Sequence, residues 1–367
     1  MPTAGRAPFT WAILGAGQVS RKFVQGLSSG PHPMQAVVVA SRTFEHADRL
    51  AQEVGATAVR EYEHALAHPG VDAVYVATPP SEHERHALMA ISAGKPVLVE
   101  KPFAMDHGAA TRIATAARRD GVFCMEAMWT RFLPLIELVK QRIDAGAIGE
   151  VREFDGAFLS ATRPGPQSSI YDLERGGGAL MHRGVYPLSL ARHLLGPISD
   201  VQAMARIGET SVDEDCALMI RHSSGAISTI RASLRVGGPS EATIHGESGT
   251  ITLFPPIYRP SAARIERTVD RVPATGKPRG LLGSAKEKHW ALGLQQRVGR
   301  PLDIVRGLRG DLRAYYSGNG YHHEAAALMT EVRAGNLESP IMPLAQSVEI
   351  MRVIDDAKSC WRMAVEK

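Results

Sequence analysis

The sequence predicts two units, an α/β domain on a doubly wound parallel sheet and then an α+β domain on a large, open, mainly antiparallel sheet. Three observations predict it. Over the first third, short β-branched runs alternate with amphipathic helical stretches, as buried parallel strands alternate with their crossover helices. After about Gly149, strand-like segments follow one another with one obvious helix between them. The length of 367 residues exceeds one ordinary domain and gives each of two enough chain to bury a core.

Trp11-Ala12-Ile13-Leu14 reads as the first buried strand and runs into Gly15-Ala16-Gly17-Gln18-Val19-Ser20. A glycine pattern alone says little. After a strand, and opening a helix near Val19, it reads as a dinucleotide fingerprint rather than an ordinary turn, with Ser20 in place of the third glycine. Gly15 permits the tight turn, and Gly17 lets a pyrophosphate approach the helix N-terminus, so the first unit is a Rossmann domain. Val37-Val38-Val39-Ala40 is the second strand. The following helix starts at Thr43 as N-cap, places Ala47, Leu50, Ala51 and Val54 on one face, and closes at Gly55. Ala73 to Ala77 is a strand stopped by Pro79-Pro80. A helix over Glu82 to Ala93 ends at Gly94, Pro96 to Val99 is a further strand, and Val122 to Met125 is the last of the unit.

In the second half Glu150 to Ala161, Val201 to Ile207, Cys216 to His222, Ala226 to Arg235 and Ala242 to His245 read as strands. Tyr186 to Leu195 is the helix among them, and Ser-Gly steps supply turns. Pro255 to Gly283, punctuated by proline and glycine, reads as loop; Lys286 to Leu312 and Leu344 to Met363 have helical spacing. The boundary falls between residues 127 and 128, with the last helix packing back on the first domain.

Composition narrows the function. Apolar residues make 44% and charged residues 22%, the balance of a globular chain. No window is apolar enough to cross a bilayer, and Met1 to Thr10 lacks the pattern of a signal peptide. Cys124, Cys216 and Cys360 are odd in number and far apart, fitting neither a disulfide framework nor a metal site, so the expected compartment is a reducing cytoplasm. Between Arg259 and Arg313, ten Arg and three Lys face five acids, in a chain of net charge +4. Without interleaved aromatics this basic segment reads as a solvated face or subunit contact, and neither nucleic acid nor membrane is expected as a partner. The histidines of His322-His323-Glu324 cannot both face one ion from a regular helix, so no metal is expected.

The end of the second strand bears on the cofactor. It carries Ser41-Arg42, with no acid until Glu45. A carboxylate there would bind ribose hydroxyls and repel a 2′-phosphate; a hydroxyl beside a guanidinium can bind the phosphate. The expected cofactor is therefore NADP(H), although Arg42 capping a helix or stacking on adenine would also suit NAD.

At Val99-Glu100-Lys101-Pro102, preceded by Ala93-Gly94-Lys95-Pro96, the sequence resembles the Gfo/Idh/MocA oxidoreductase family. Met125-Glu126-Ala127-Met128-Trp129-Thr130-Arg131-Phe132 resembles its dihydrodiol dehydrogenase and glucose-fructose oxidoreductase-like branch. The likeness continues through Gly176 to Leu180, Val212 to Asp215 and Gly318 to Tyr321, and omits roughly Ile257 to Tyr315. It implies a hydride exchanged between a nicotinamide and a secondary alcohol or ketone of a sugar, sugar derivative, cyclic diol or polyol. Lys101 would polarise the reacting oxygen and Tyr186 would move the proton. A partly desolvated lysine near a cationic ring suits that work. His182 stands where the family has Asp or Asn; it either relays a proton itself or leaves Lys101 and Tyr186 to act alone. Gln18, Val19, Thr78, Pro79, His83 and Glu100 join Gly15, Gly17, Ser41, Arg42 and Lys101 as expected cofactor positions, while Trp129 and Arg131 are expected to line the substrate pocket. Relatives imply a homodimer or homotetramer using the open sheet. The departure at His182 keeps two alternatives in view: a cofactor-binding regulator, and an epimerase or hydrolase with a transient oxidation.

Overall fold

The computed structural model describes residues 7–163, 168–267 and 312–365. The expected helix from Lys286 lies outside them except for its last residue, Leu312, and so does most of the basic segment.

Six parallel strands form the first sheet: β1 (Phe9–Leu14), β2 (Met34–Ala40), β3 (Thr57–Val59), β4 (Ala73–Val76), β5 (Val97–Glu100) and β6 (Cys124–Ala127). Their order is β3-β2-β1-β4-β5-β6, so the winding reverses between β1 and β4 and opens a crevice at the carboxyl ends there. Strands β4, β5 and β6 are buried throughout, which is why they read as continuous apolar runs. The helices are α1 (Gln18–Leu27), α2 (Phe44–Val54), α3 (Tyr62–Leu66), α4 (Pro80–Ser92) and α5 (His107–Asp120). Gly55 ends α2 in the left-handed region at φ 71°, and the Asp106 side chain caps α5 by accepting from the Ala109 amide at 2.8 Å.

A 3₁₀ turn (Trp129–Phe132) and α6 (Pro134–Asp144) lead into the second sheet. Its strands are β7 (Val151–Leu159), β8 (Ile198–Ile207), β9 (Asp213–His222), β10 (Ile227–Ser233), β11 (Ser240–Gly246), β12 (Gly249–Leu253), β13 (Ala262–Arg267) and β14 (Leu312–Arg313). The order is β14-β13-β12-β11-β7-β10-β9-β8, and every neighbouring pair is antiparallel except β7 with β10. Within the loop expected over Pro255 to Gly283, β13 replaces loop by strand at Ala262–Arg267, and residues 268–283 lie outside the described residues. The last four residues of β13, Arg264-Ile265-Glu266-Arg267, are mostly charged and partly exposed, so it lacks an apolar run, yet it pairs along β12.

A π-helical turn (Leu180–Gly184) and α7 (Val185–Leu195) cover one face of this sheet. The other face presents Met204, 80% exposed, and Met219, 59% exposed, beside Ile227. Two helices complete the described chain, α8 (Tyr321–Arg333) and α9 (Leu344–Val365). Helix α9 lies against both α5 of the first unit and β8 of the second sheet. Asp355 accepts from the His107 amide at 2.8 Å, and Arg352 donates to the Ile198 carbonyl at 3.2 Å. Among the described residues no helix is long and apolar enough to cross a membrane, and no His, Cys, Asp and Glu cluster forms a metal site.

Candidate active site

A cleft of about 1500 Å³ runs from the first glycine turn across the ends of β4 and β5 to the inner face of the second sheet. Its first wall is the β1–α1 turn. Gly15 has φ +97°, and a Cβ there would stand 2.6 Å from the Ala77 carbonyl oxygen, so only glycine lets this turn lie against the end of β4. Around Gly17 a Cβ would meet nothing within 4 Å, which leaves open space over the N-terminus of α1. Ser20, in place of the third glycine, is fully buried and donates its hydroxyl to the Gly15 carbonyl at 2.7 Å, tying the turn shut. The turn therefore fits a pyrophosphate: room above it, with Gln18 and Val19 at the first turn of the helix.

Ser41, Arg42, Thr43 and His46 line the cleft at the end of β2, and they are joined by Arg60, just beyond β3. Sequence reasoning missed Arg60, because β3 is too short to signal where its following residue sits. Its guanidinium lies 5.7 Å from the centre of the Phe44 ring. Neither Arg42 nor Arg60 is paired with a carboxylate among the described residues.

Thr78 and Pro79 form the second wall, and Pro79 is the residue before the first turn of α4. His83 is buried beneath them, its two ring nitrogens each 2.9 Å from a backbone carbonyl, of Thr78 and of Pro102. Burial lowers its pKa to about 4, so the neutral ring donates to one carbonyl at a time and pins the β4 loop against the residues after β5.

Lys101 follows β5 directly, and its ammonium stands 5.1 Å from the centre of the Tyr186 ring. Burial pulls its pKa below the ordinary lysine value; Glu100 opposes that shift and the nearby Arg183 adds to it. Glu100 is itself buried and accepts from the Tyr75 hydroxyl at 2.5 Å and from the Lys101 amide at 3.1 Å. Tyr186 has its pKa raised by burial, so its hydroxyl stays protonated and is a hydrogen-bond donor at any working pH; Trp129 Nε1 donates to it at 3.5 Å.

His182 sits in the π-helical turn and lines the same cleft. Its Nε2 is buried without a partner, and burial, reinforced by the charges of Lys101 and Arg183, lowers its pKa to about 3. The titration near neutrality that a histidine suggests is thereby removed. The ring is neutral.

Trp129 lines the cleft, stacked on Tyr321 with centroids 4.6 Å apart. Arg131 does not, which corrects its expected place in the substrate pocket. It is 1% exposed, and its guanidinium donates to the Ser189 hydroxyl and carbonyl and to Gln346. The 3₁₀ turn puts Trp129 and Arg131 on opposite sides, one toward the cleft and one into the packing between α7 and the start of α9. Phe158, Tyr258 and Tyr321 complete an aromatic wall that the sequence did not announce, since each comes from a different element.

Comparison with known proteins agrees with this geometry. Residues 9–128 match the family model of an oxidoreductase family with an NAD-binding Rossmann fold, and residues 136–252 match the GFO/IDH/MocA C-terminal domain. The chain is 27% identical to trans-1,2-dihydrobenzene-1,2-diol dehydrogenase of Mus musculus over 352 residues, 95% of each chain. It is 30% identical to D-xylose 1-dehydrogenase (NADP(+)) of Hypocrea jecorina over 390 residues, covering 95% of this chain and 92% of that one. The solved structure of levoglucosan dehydrogenase with NADH and levoglucosan superposes with a TM-score of 0.78 at 22% identity, over 97% and 98% of the two chains. A glycine turn shaped for a dinucleotide, a lysine at the end of β5 and matches along both halves lead to one conclusion: the chain belongs to the Gfo/Idh/MocA family of oxidoreductases.

Proposed function

We propose that the protein is an NADP(H)-dependent dehydrogenase or reductase of CH–OH groups, acting on a sugar, a sugar derivative or a cyclic diol. The observation that carries this reading is the meeting of Lys101 and Tyr186, 5.1 Å from ammonium to ring centre, in a cleft that also holds the open Gly17 turn. The diol and xylose dehydrogenases among its relatives support the substrate class.

Gly15, Gly17, Gln18 and Val19 would hold the pyrophosphate, and Ser41, Arg42 and Arg60 a 2′-phosphate. Thr78, Pro79, His83, Glu100 and Lys101 would frame the nicotinamide end. When bound, the nicotinamide supplies the hydride acceptor or donor. The residues do the rest. Tyr186, always protonated, donates a hydrogen bond to the substrate oxygen. Lys101, whose pKa is lowered, takes the carbinol proton in oxidation and returns it in reduction, so the proton falls to Lys101 rather than to Tyr186. His182, neutral, orients a substrate hydroxyl through Nε2. The same reading assigns residues 1–127 to the cofactor and 128–367 to substrate and assembly. A second copy of the chain covers the open face around Met204 and Met219, giving a homodimer or homotetramer.

Two outcomes test this. Arg42→Ala will weaken NADPH about ten- to a hundredfold, the worth of a charge-assisted hydrogen bond, and leave NADH within about twofold. Fluorescence titration checks it; tighter binding of NADH than NADPH by the wild type would remove the NADP assignment. In oxidation, kcat/KM will rise with pH through one ionisation below the ordinary lysine value of 10.5, as Lys101 loses its proton, and reduction will fall over the same range. No step will come from His182 near its ordinary 6.5. A step there that disappears in His182→Asn contradicts the neutral ring.

A further inference from the structure

We infer that the substrate carries an anionic group, a carboxylate or a phosphate, which Arg183 and Arg175 receive on the second-sheet side of the cleft. This rests on the dehydrogenase reading and names its substrate class more closely.

Both arginines line the cleft. The Arg183 guanidinium lies 4.8 Å from the centre of the Phe158 ring, and its Nη2 donates to the Thr162 hydroxyl at 3.2 Å. Its Nε is buried and has no partner. The titratable groups facing it are the tyrosines Tyr186, Tyr258 and Tyr171 and the neutral His182, with no carboxylate among them. The other cation close by, Lys101, repels it. The acid nearest Lys101 is Glu100, which is buried and already engaged by Tyr75 and by the Lys101 amide. Arg175 is partly buried in the turn before Gly176, its amide held by the Asp172 side chain at 3.3 Å, and its guanidinium has no carboxylate partner among the described residues.

A half-buried guanidinium without a counter-ion is costly, and a site that gathers two of them beside a lysine favours an anion as the missing partner. Arginine's planar fork suits the two oxygens of a carboxylate or a phosphate. The rings of Phe158, Tyr258 and Trp129 give an apolar floor for the C–H face of a sugar or cyclohexane ring. A neutral sugar would use that floor and leave the guanidinium charges without a counter-ion; a sugar acid or sugar phosphate uses the floor and supplies the counter-ion. Arg183 also sits in the π-helical turn between His182 and Tyr186, so an acid group held there fixes which carbinol of the ring faces Lys101.

The test is calorimetric titration of the NADPH-loaded protein with pairs matched in ring and differing in charge: D-glucuronate and D-glucose 6-phosphate against D-glucose, and D-galacturonate against D-galactose. At least one acid is expected to bind about ten- to a hundredfold tighter than its neutral counterpart, with a preference that weakens in salt. Whether uronate or phosphate wins names the group. Arg183→Met is expected to abolish the preference, and Arg175→Met to reduce it. The inference is overturned if no acid outbinds its neutral counterpart, or if the preference survives Arg183→Met. Should that variant fail to fold, Arg183→Gln decides, since it removes the charge and keeps a planar polar head: an unchanged preference for the acid overturns the inference. Failure of NADPH to bind the wild type would sink the dehydrogenase reading instead. The acid preference is then read on the unloaded protein by the same criterion.

Discussion

Replacing Lys101 with methionine will lower kcat about 10³- to 10⁴-fold and change NADPH affinity by less than about threefold, the upper range for removing a positioned acid–base group. Methionine preserves the stem that fills the end of β5 and deletes a cleft ammonium whose pKa burial has lowered, 5.1 Å from the centre of the Tyr186 ring. Tyr186 cannot take over. Burial holds its hydroxyl protonated, so it donates a hydrogen bond and does not serve as a base. Glu100 is occupied by the Tyr75 hydroxyl and the Lys101 amide. Steady-state rates with NADPH titrations check this; a kcat within tenfold of wild type would place the proton transfer elsewhere.

Arg131→Met will destabilise the protein by about 2–4 kcal/mol and leave KM within about twofold. The guanidinium donates at 2.7 Å to the Ser189 hydroxyl, 2.8 Å to the Ser189 carbonyl, 2.5 Å to Gln346 and 3.3 Å to the Ile341 carbonyl. All lie away from the cleft, and methionine leaves these acceptors to find other donors. Glu126, also fully buried, loses a cation that favours its charge; its pKa is already raised by burial to about 7, and it will take up a proton. Urea unfolding and substrate kinetics separate the two roles. A raised KM with unchanged stability would return Arg131 to the substrate pocket.

The contrast between Trp129 and Arg131 shows what the sequence can and cannot convey. Elements with one strong physical signal were legible: the buried β-branched runs of β1, β2, β4 and β5, the Thr43 and Gly55 limits of α2, and the glycine turn with its following helix. Strand β3 was not, being three residues at an edge with no buried side chain. Helix α5 was not, because its buried face is mostly alanine, Ala109, Ala110, Ala114, Ala116 and Ala117 around Ile113, and leaves no stripe of large residues. In the cleft, motif position pointed to Lys101, Tyr186 and the glycines, which all line it. It failed where orientation decides, since residues two apart in a 3₁₀ turn face different surroundings. It was silent on Arg60, Phe158 and Tyr258, which reach the cleft through the packing of separate elements, and on Arg183, which stands beside His182 in the π-helical turn. His182 was found by position, but its charge state depends on burial that no motif reports.

The strap formed by α9 has a consequence for synthesis. The amide of His107 and the carboxylate it bonds are 248 residues apart in the chain. At about 5–20 residues per second on the ribosome, the nucleotide-binding half waits roughly 12–50 s for the helix that covers its α5 flank. During that interval the growing polypeptide holds a Rossmann sheet with one outer layer unfinished. A cut or fusion inside α9 thus uncovers the α5 flank of the Rossmann sheet as well as disturbing the distant end where it is made.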